Sequence, residues 1–268
     1  MVIDFHIHMF PDKLAEGAVG TLARRSGLKP EGNGTCADTL HKMAAGGADM
    51  AVVQNIATNA KQTAHVNDFA IELMQEPKLI PFGSVHPDCD WRYELDRLAD
   101  NGIKGIKLHP DYQDFYIDEA RMQPIYEYIL KKGFILLFHA GLDIGLPNPV
   151  HAEPERTANV LGLFAGEKVV LAHMGGFQRW DAVEQYLLGK NIYLDTSCAA
   201  SYMKPGQLEK MIQAHGTGKV LFATDFPWGN FGSNIRAIQS LPLKLEEKDA
   251  ILYKNALKLL EMKDSEAS

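Results

Sequence analysis

Cysteine is scarce in this chain of 268 residues: Cys36, Cys89 and Cys198 are the only three. They are widely spaced with no CxxC pair, which excludes a disulfide framework and fits a reducing compartment. Positive charge is also short. The formal net charge is −7, which argues against nucleic-acid binding, a role that needs a basic surface. No apolar run nears the length that spans a bilayer; the run 134–138 is typical. The opening Met-Val-Ile-Asp-Phe-His has neither the basic nor the apolar stretch of a signal peptide, so a cytoplasmic protein is expected. No linker, low-complexity tract or composition shift divides the chain.

What is present is ordinary globular composition, 46% hydrophobic and 23% charged, which excludes wholesale disorder. Short runs rich in Val, Ile, Leu and Phe recur at 2–7, 49–56, 79–85, 103–108, 134–138, 168–172, 192–194 and 220–223. Such runs fit parallel strands buried on both faces. Segments with helical spacing lie between them, at 35–46, 67–75, 91–99, 124–130, 157–164, 180–188, 208–214, 235–241 and 250–260. The ends of the runs recur about every 31 residues, the size of one βα unit. Eight such units predict an α/β fold, a single-domain (β/α)8 TIM barrel over residues 1–262, with 263–268 a frayed tail. An open doubly wound sheet is the competing architecture, but no glycine fingerprint follows the first run.

The chemistry of such a barrel sits at the C-terminal ends of its strands. Six of the ten histidines fall there: His6, His8, His86, His109, His139 and His173. Asp225 follows the eighth run. In a strand, residues two apart share a face, so His6 and His8 can enter the barrel mouth together. Such a pair alone is read equally well as two hydrogen-bonded or solvated histidines. The context is supplied by Phe138-His139-Ala140-Gly141, Ala172-His173-Met174-Gly175-Gly176 and Thr224-Asp225-Phe226-Pro227. Histidine nitrogen with carboxylate oxygen suits zinc and similar divalent ions.

These residues carry a resemblance. Asp4-Phe5-His6-Ile7-His8, Gly83-Ser84-Val85-His86-Pro87, Lys104-Gly105-Ile106-Lys107-Leu108-His109-Pro110, Ala172-His173-Met174-Gly175-Gly176 and Thr224-Asp225-Phe226-Pro227 resemble the amidohydrolase superfamily. The closest likeness is to its amidohydrolase-2 branch of metal-dependent hydrolases and decarboxylases. Matching positions in that branch imply one divalent ion, zinc by preference, held by His6, His8, His139 and Asp225. They imply Asp225 as proton carrier and His173 as general acid or base. Binuclear members imply an alternative, in which a carboxylated Lys107 bridges two ions and His173 joins the second. Lys107 is read equally as an ammonium that meets a substrate carboxylate. His109, Arg179, Trp180 and Trp228 are the candidate substrate contacts, with Arg179 suited to a carboxylate and the tryptophans to an apolar face. Gly175 and Gly176 are read as opening space above the ion.

Three functions follow as expectations. The leading one is a hydrolase whose metal-activated water attacks the C–N or C–O bond of a small amide, cyclic amide or lactone. The alternative is a non-oxidative decarboxylase of an aromatic or enoic acid. The third, from another class, is a non-catalytic metal- or ligand-binding barrel. The expected partner is a small, carboxylate-bearing molecule, with no nucleic acid and no membrane. The outer helices are compatible with a homodimer.

Overall fold

Eight short parallel strands form where the apolar runs lie. In the computed structural model, which describes residues 1–263, they are β1 Ile3–Ile7, β2 Met50–Gln54, β3 Leu79–Phe82, β4 Gly105–Leu108, β5 Ile135–Phe138, β6 Val169–Leu171, β7 Tyr193–Asp195 and β8 Val220–Leu221. Strands β1 to β3 pair in order, as do β4 to β8. Backbone hydrogen bonds close the two remaining gaps. Gly83 N donates to Gly105 O at 2.9 Å and Lys107 N to Gly83 O at 2.8 Å. Across the other seam, Phe5 N donates to Phe222 O at 2.8 Å and Asp225 N to His6 O at 2.8 Å. The result is the expected (β/α)8 barrel.

Alternation along each strand sorts the core into two layers. Leu136 and Phe138 of β5 face outward and pack with the helices, whereas Ile135 and Leu137 join an inner cluster. Val170, Tyr193 and Leu221 share that inner cluster with Ala256, Leu257, Leu259 and Leu260 of the last helix, Asn255–Leu260. This helix therefore plugs the floor of the barrel. Lys104 Nζ donates to Leu260 O at 2.8 Å and fastens the plug. Each fully buried aliphatic or aromatic side chain contributes about 1.5–3 kcal/mol.

The helices depart from the sequence pattern in several places, including the short turns Pro110–Gln113 and Ala199–Tyr202. Asp12–Ser26 is a helix where the pattern shows only a loop. It buries just Ala15 and Val19 and leaves Leu14 62% exposed, so it lacks the apolar stripe that betrays a helix. Leu245–Asp249 buries nothing and escapes notice for the same reason. The segment 250–260 is not one regular helix: a π-helical turn, Ala250–Lys254, precedes Asn255–Leu260. Of the tail expected over 263–268, only Lys263 is among the described residues. No helix among the described residues is long and apolar enough to cross a membrane.

Candidate metal centre

The seam between β1 and β8 builds the centre of the barrel mouth. Asp4 Oδ1 accepts from His6 N at 3.0 Å and Thr224 N at 3.1 Å, and its Oδ2 accepts from Thr224 Oγ1 at 2.5 Å. This clamp sits where the β1 register shifts, between Asp4 and Ile7. It holds His6 and His8 on one strand beside Asp225 on the other. Burial pushes the Asp4 carboxyl up to about 7, against the pull of its Thr224 and His6 hydrogen bonds.

Three donor atoms face one another there. His6 Nε2 and His8 Nε2 are 3.1 Å apart, and each lies 3.4 Å from Asp225 Oδ1. The tautomers follow from the outer nitrogens. His8 Nδ1 must donate to Gln54 O at 2.9 Å, because a carbonyl only accepts, and His6 Nδ1 lies 2.9 Å from Asp195 Oδ2. Both Nε2 atoms then carry lone pairs that point at each other, an arrangement that only a shared proton or cation relieves. Nitrogen and oxygen donors at about 2.0–2.1 Å from one ion lie roughly 2.9–3.4 Å apart, between octahedral and tetrahedral angles. The observed triangle fits a divalent ion. Burial, and then the Lys107 charge, hold His6 well below its usual pKa, so it stays neutral and able to ligate.

Asp195 anchors this arrangement from behind. Its Oδ1 accepts from His173 N and Ser197 N, each at 3.0 Å, and from the Ser197 hydroxyl, while Oδ2 serves His6. His173 Nδ1 is 2.8 Å from Ser197 Oγ, whose own hydrogen goes to Asp195, so Nδ1 is the donor. His173 Nε2 therefore accepts from His139 Nδ1 at 3.1 Å. That leaves His139 Nε2 buried with no hydrogen-bond partner among the described residues. His139 is 6% exposed and stacks on His109, with centroids 4.1 Å apart and planes within 7°.

His139 thus stands beside His173 and His109, outside the tight His6–His8–Asp225 group. His109, His139 and Asp143 also cluster, but His109 offers no free lone pair. Its Nδ1 accepts from Tyr112 N at 3.3 Å and its Nε2 lies 3.3 Å from Asp143 Oδ2. Burial, followed by neighbouring cationic groups, holds both His109 and His139 well below the usual histidine pKa.

Lys107 is 1% exposed, with Nζ 3.3 Å from His6 Nε2. No carboxylate pairs directly with it among the described residues. Burial lowers its pKa to about 8, against the more distant pull of Asp195, Asp225 and Asp143. Asp225 shows the opposite balance. Burial raises it, but the imidazoles around it, His8 first and then His6 and His173, outweigh that and keep the carboxylate well below its usual range. Its Oδ2 turns away from the histidines and accepts from Cys198 Sγ at 3.2 Å.

Several of the outer residues are already engaged by the protein itself. Trp180 is 7% exposed, and its indole N–H donates to His173 O at 2.9 Å, so it holds the histidine turn instead of facing a substrate. Arg179 Nε lies 3.0 Å from both Glu153 carboxylate oxygens, so it already has a carboxylate. Trp228 is half-buried, directly follows Pro227, and its backbone N–H donates to Asp225 O at 2.8 Å. His86 Nδ1 accepts from Asp88 N at 3.2 Å in the turn after β3. Gly175 and Gly176 open no space: a Cβ on either meets the Val183 side chain at 3.2 or 3.0 Å. Gly141 matters more. It holds φ +81° where the β5 and β6 loops touch, and a Cβ there would overlap the Phe177 backbone. Asp195, Ser197, Cys198 and Gln54 complete the site without having been singled out. An Asp-Thr-Ser at the end of the seventh run is the one signal that pointed to them.

Fold and donors together define a (β/α)8 barrel with a histidine–carboxylate cluster at its mouth. The chain belongs to the amidohydrolase family, whose model matches residues 3–262. No curated protein matches its sequence. Among solved structures it is similar to an uncharacterised TIM-barrel protein from Bordetella bronchiseptica, at 21% identity and TM-score 0.76, over 99% of both chains. It is similar to a 5-carboxyvanillate decarboxylase from Novosphingobium aromaticivorans complexed with manganese and 4-hydroxy-3-methoxy-5-nitrobenzoic acid. There the identity is 16% and the TM-score 0.72, over 98% of this chain and 96% of that one. A dihydroxybenzoic acid decarboxylase from a Polaromonas species, with bound manganese and the inhibitor 2-nitroresorcinol, gives 17% and 0.72, over 97% and 96%. At such identities the likeness is one of fold.

Proposed function

We propose that this chain is a metal-dependent, non-oxidative decarboxylase of a small aromatic or enoic carboxylic acid. The observation that carries the reading is Lys107, a buried ammonium with no carboxylate of its own, set against the donor triangle. A cation so placed lacks a counter-charge, and a substrate carboxylate supplies one. The decarboxylases of like fold act on hydroxylated benzoic acids, which are substrates of this kind.

His6, His8 and Asp225 Oδ1 would hold the ion, with His139 the nearest further imidazole. Zinc and manganese both suit such nitrogen and oxygen donors. When bound, a divalent ion fixes an anionic oxygen and stabilises negative charge that develops on the substrate. The chain's own groups do the rest. Lys107 binds and orients the carboxylate. The bond from the carboxylate to its carbon breaks, carbon dioxide leaves, and the electron pair stays on that carbon, which then takes a proton. Asp225 Oδ2, which turns towards Cys198, is the oxygen that carries that proton, because Oδ1 faces the histidines. His173, fixed by Asp195 and Ser197, is the neighbouring group through which the proton is replaced.

Hydrolysis is the second reading. It is favoured by the geometry of Asp225, whose Oδ2 lies off the histidine face and within reach of a water beside the donor triangle. Incubation of the manganese- or zinc-loaded protein with hydroxybenzoates and enoic acids, with carbon dioxide measured, tests the proposal. Carbon dioxide release from at least one acid is the expected result. Turnover of amides or lactones, with no carbon dioxide from any acid, would overturn it in favour of hydrolysis.

A further inference from the structure

Asp225 presents its two oxygens to two different sets of ligands. Oδ1 faces His6 and His8, and Oδ2 lies 3.2 Å from Cys198 Sγ. His173, Cys198 and Asp225 each bring one ligand atom within 4.8 Å of the other two. We propose that these three residues form a second cation site, selective for thiophilic divalent ions such as Zn2+ and Cd2+, in which Asp225 bridges two ions. The inference rests on the first ion's sitting at His6, His8 and Asp225 Oδ1, since the carboxylate is shared.

The donor chemistry separates the two sites. The first offers nitrogen and oxygen alone, which suits manganese as well as zinc. The second adds a thiol sulfur, which discriminates strongly for softer ions. Sulfur at about 2.3 Å and oxygen at about 2.0 Å from one tetrahedral ion lie roughly 3.5 Å apart, close to the observed Cys198–Asp225 separation. His173 contributes the Nε2 lone pair, since its Nδ1–H is held by Ser197. An ion that takes this lone pair displaces the His139 N–H, and His139 has no other hydrogen bond from its ring to keep it in place. Cys198 loses its proton to solvent on binding. Cys36 and Cys89 belong to no such group among the described residues.

Occupation of this site takes both Asp225 Oδ2 and His173, the two groups that carry protons in the proposed reaction. One equivalent of manganese or zinc at the first site leaves these groups free, whereas a thiophilic ion in excess of that equivalent fills the second site and inhibits. The test is a Cd2+ titration of protein that already holds Mn2+, followed by metal analysis and by the ultraviolet sulfur-to-cadmium charge-transfer band. Wild type should take one Cd2+ beyond its Mn2+ and show the band. Cys198→Ser keeps a donor to Asp225 but should lose the band and bind Cd2+ at least tenfold more weakly. Wild type that binds Mn2+ and shows no band, or Cys198→Ser that keeps the band, overturns the second site alone. Wild type that binds no Mn2+ yet shows a band dependent on Cys198 removes the first site and the bridged pair with it, leaving a single ion at His173, Cys198 and Asp225.

Discussion

Replacement of Lys107 by Met should make the protein more stable and less able to bind its substrate. The side chain is 1% exposed, and burial brings its pKa down from 10.5 to about 8. Holding the ammonium charged inside the folded barrel therefore disfavours folding by roughly 3 kcal/mol at neutral pH. Methionine has similar length and no charge, so Lys107→Met removes that penalty and loses only the weak hydrogen bond to His6. A net gain of about 1 kcal/mol or more is expected, and each kcal/mol raises Tm by roughly 2–4 °C in a chain of this size. The pH dependence has a definite sign. Because the folded pKa is the lower one, the penalty is complete below about 8 and fades as pH rises towards 10.5. Wild type should gain stability over that interval while Lys107→Met does not, so the two melting curves approach each other in alkali. Binding moves the other way. A charge-assisted contact to a carboxylate is worth about 1.5–3 kcal/mol, so Kd for a hydroxybenzoate should rise roughly 10- to 150-fold. Melting curves of chelator-treated protein and calorimetric titration of the metal-loaded protein measure the two effects. A variant that melts lower and binds hydroxybenzoate unchanged would refute the reasoning on both counts.

Other perturbations separate the ion from the scaffold. His8→Ala removes one of three donors from a half-buried position, so metal content should fall by more than about 100-fold in affinity while the far-ultraviolet spectrum stays that of a folded barrel; metal analysis after dialysis checks it. Asp195→Asn leaves His6 Nδ1 with a neutral partner and should weaken the ion about 10- to 100-fold without touching a donor atom, which competition with a chromogenic chelator would measure. His215 lies far from the mouth in its neutral form: Nδ1 accepts from Gly189 N at 3.2 Å and Nε2 donates to Ile192 O at 2.9 Å. Burial lowers its pKa below 6.5, so its contribution is complete above that pH and is lost as acid protonates the histidine; His215→Gln should flatten the fall in Tm below pH 6.5.

The strands were legible because a parallel strand buried on both faces writes itself as a continuous apolar run. His6 and His8 were legible because a two-residue spacing puts both on one face. Convergence of atoms was not. Nothing in the sequence says that the His139 ring turns to His173 and His109, since that depends on which nitrogen each neighbour leaves free. Asp195 was hidden because its work is to accept from His6, His173 and Ser197, partners that lie in three separate places along the chain or its turns. Arg179 and Trp180 looked suited to a substrate, but Glu153 and the His173 carbonyl claim them, and residue type does not disclose such competition. The helix Asp12–Ser26 escaped because a helix lying lightly on a barrel needs little apolar surface.

The donor triangle lies where the first strand meets the last, across a clamp that joins residues 220 positions apart in sequence. Two of the three donors lie on or just beyond the first strand and the third follows the eighth, so the group is complete only when that seam has formed. An ion held at all three donors therefore reports that the barrel has closed. It also acts as a rivet across the joint between the first and eighth strands. By mass action, each tenfold excess of ion over its Kd would add about 1.4 kcal/mol to the hold on that joint. Loss of the ion would then loosen this seam as well as stop turnover.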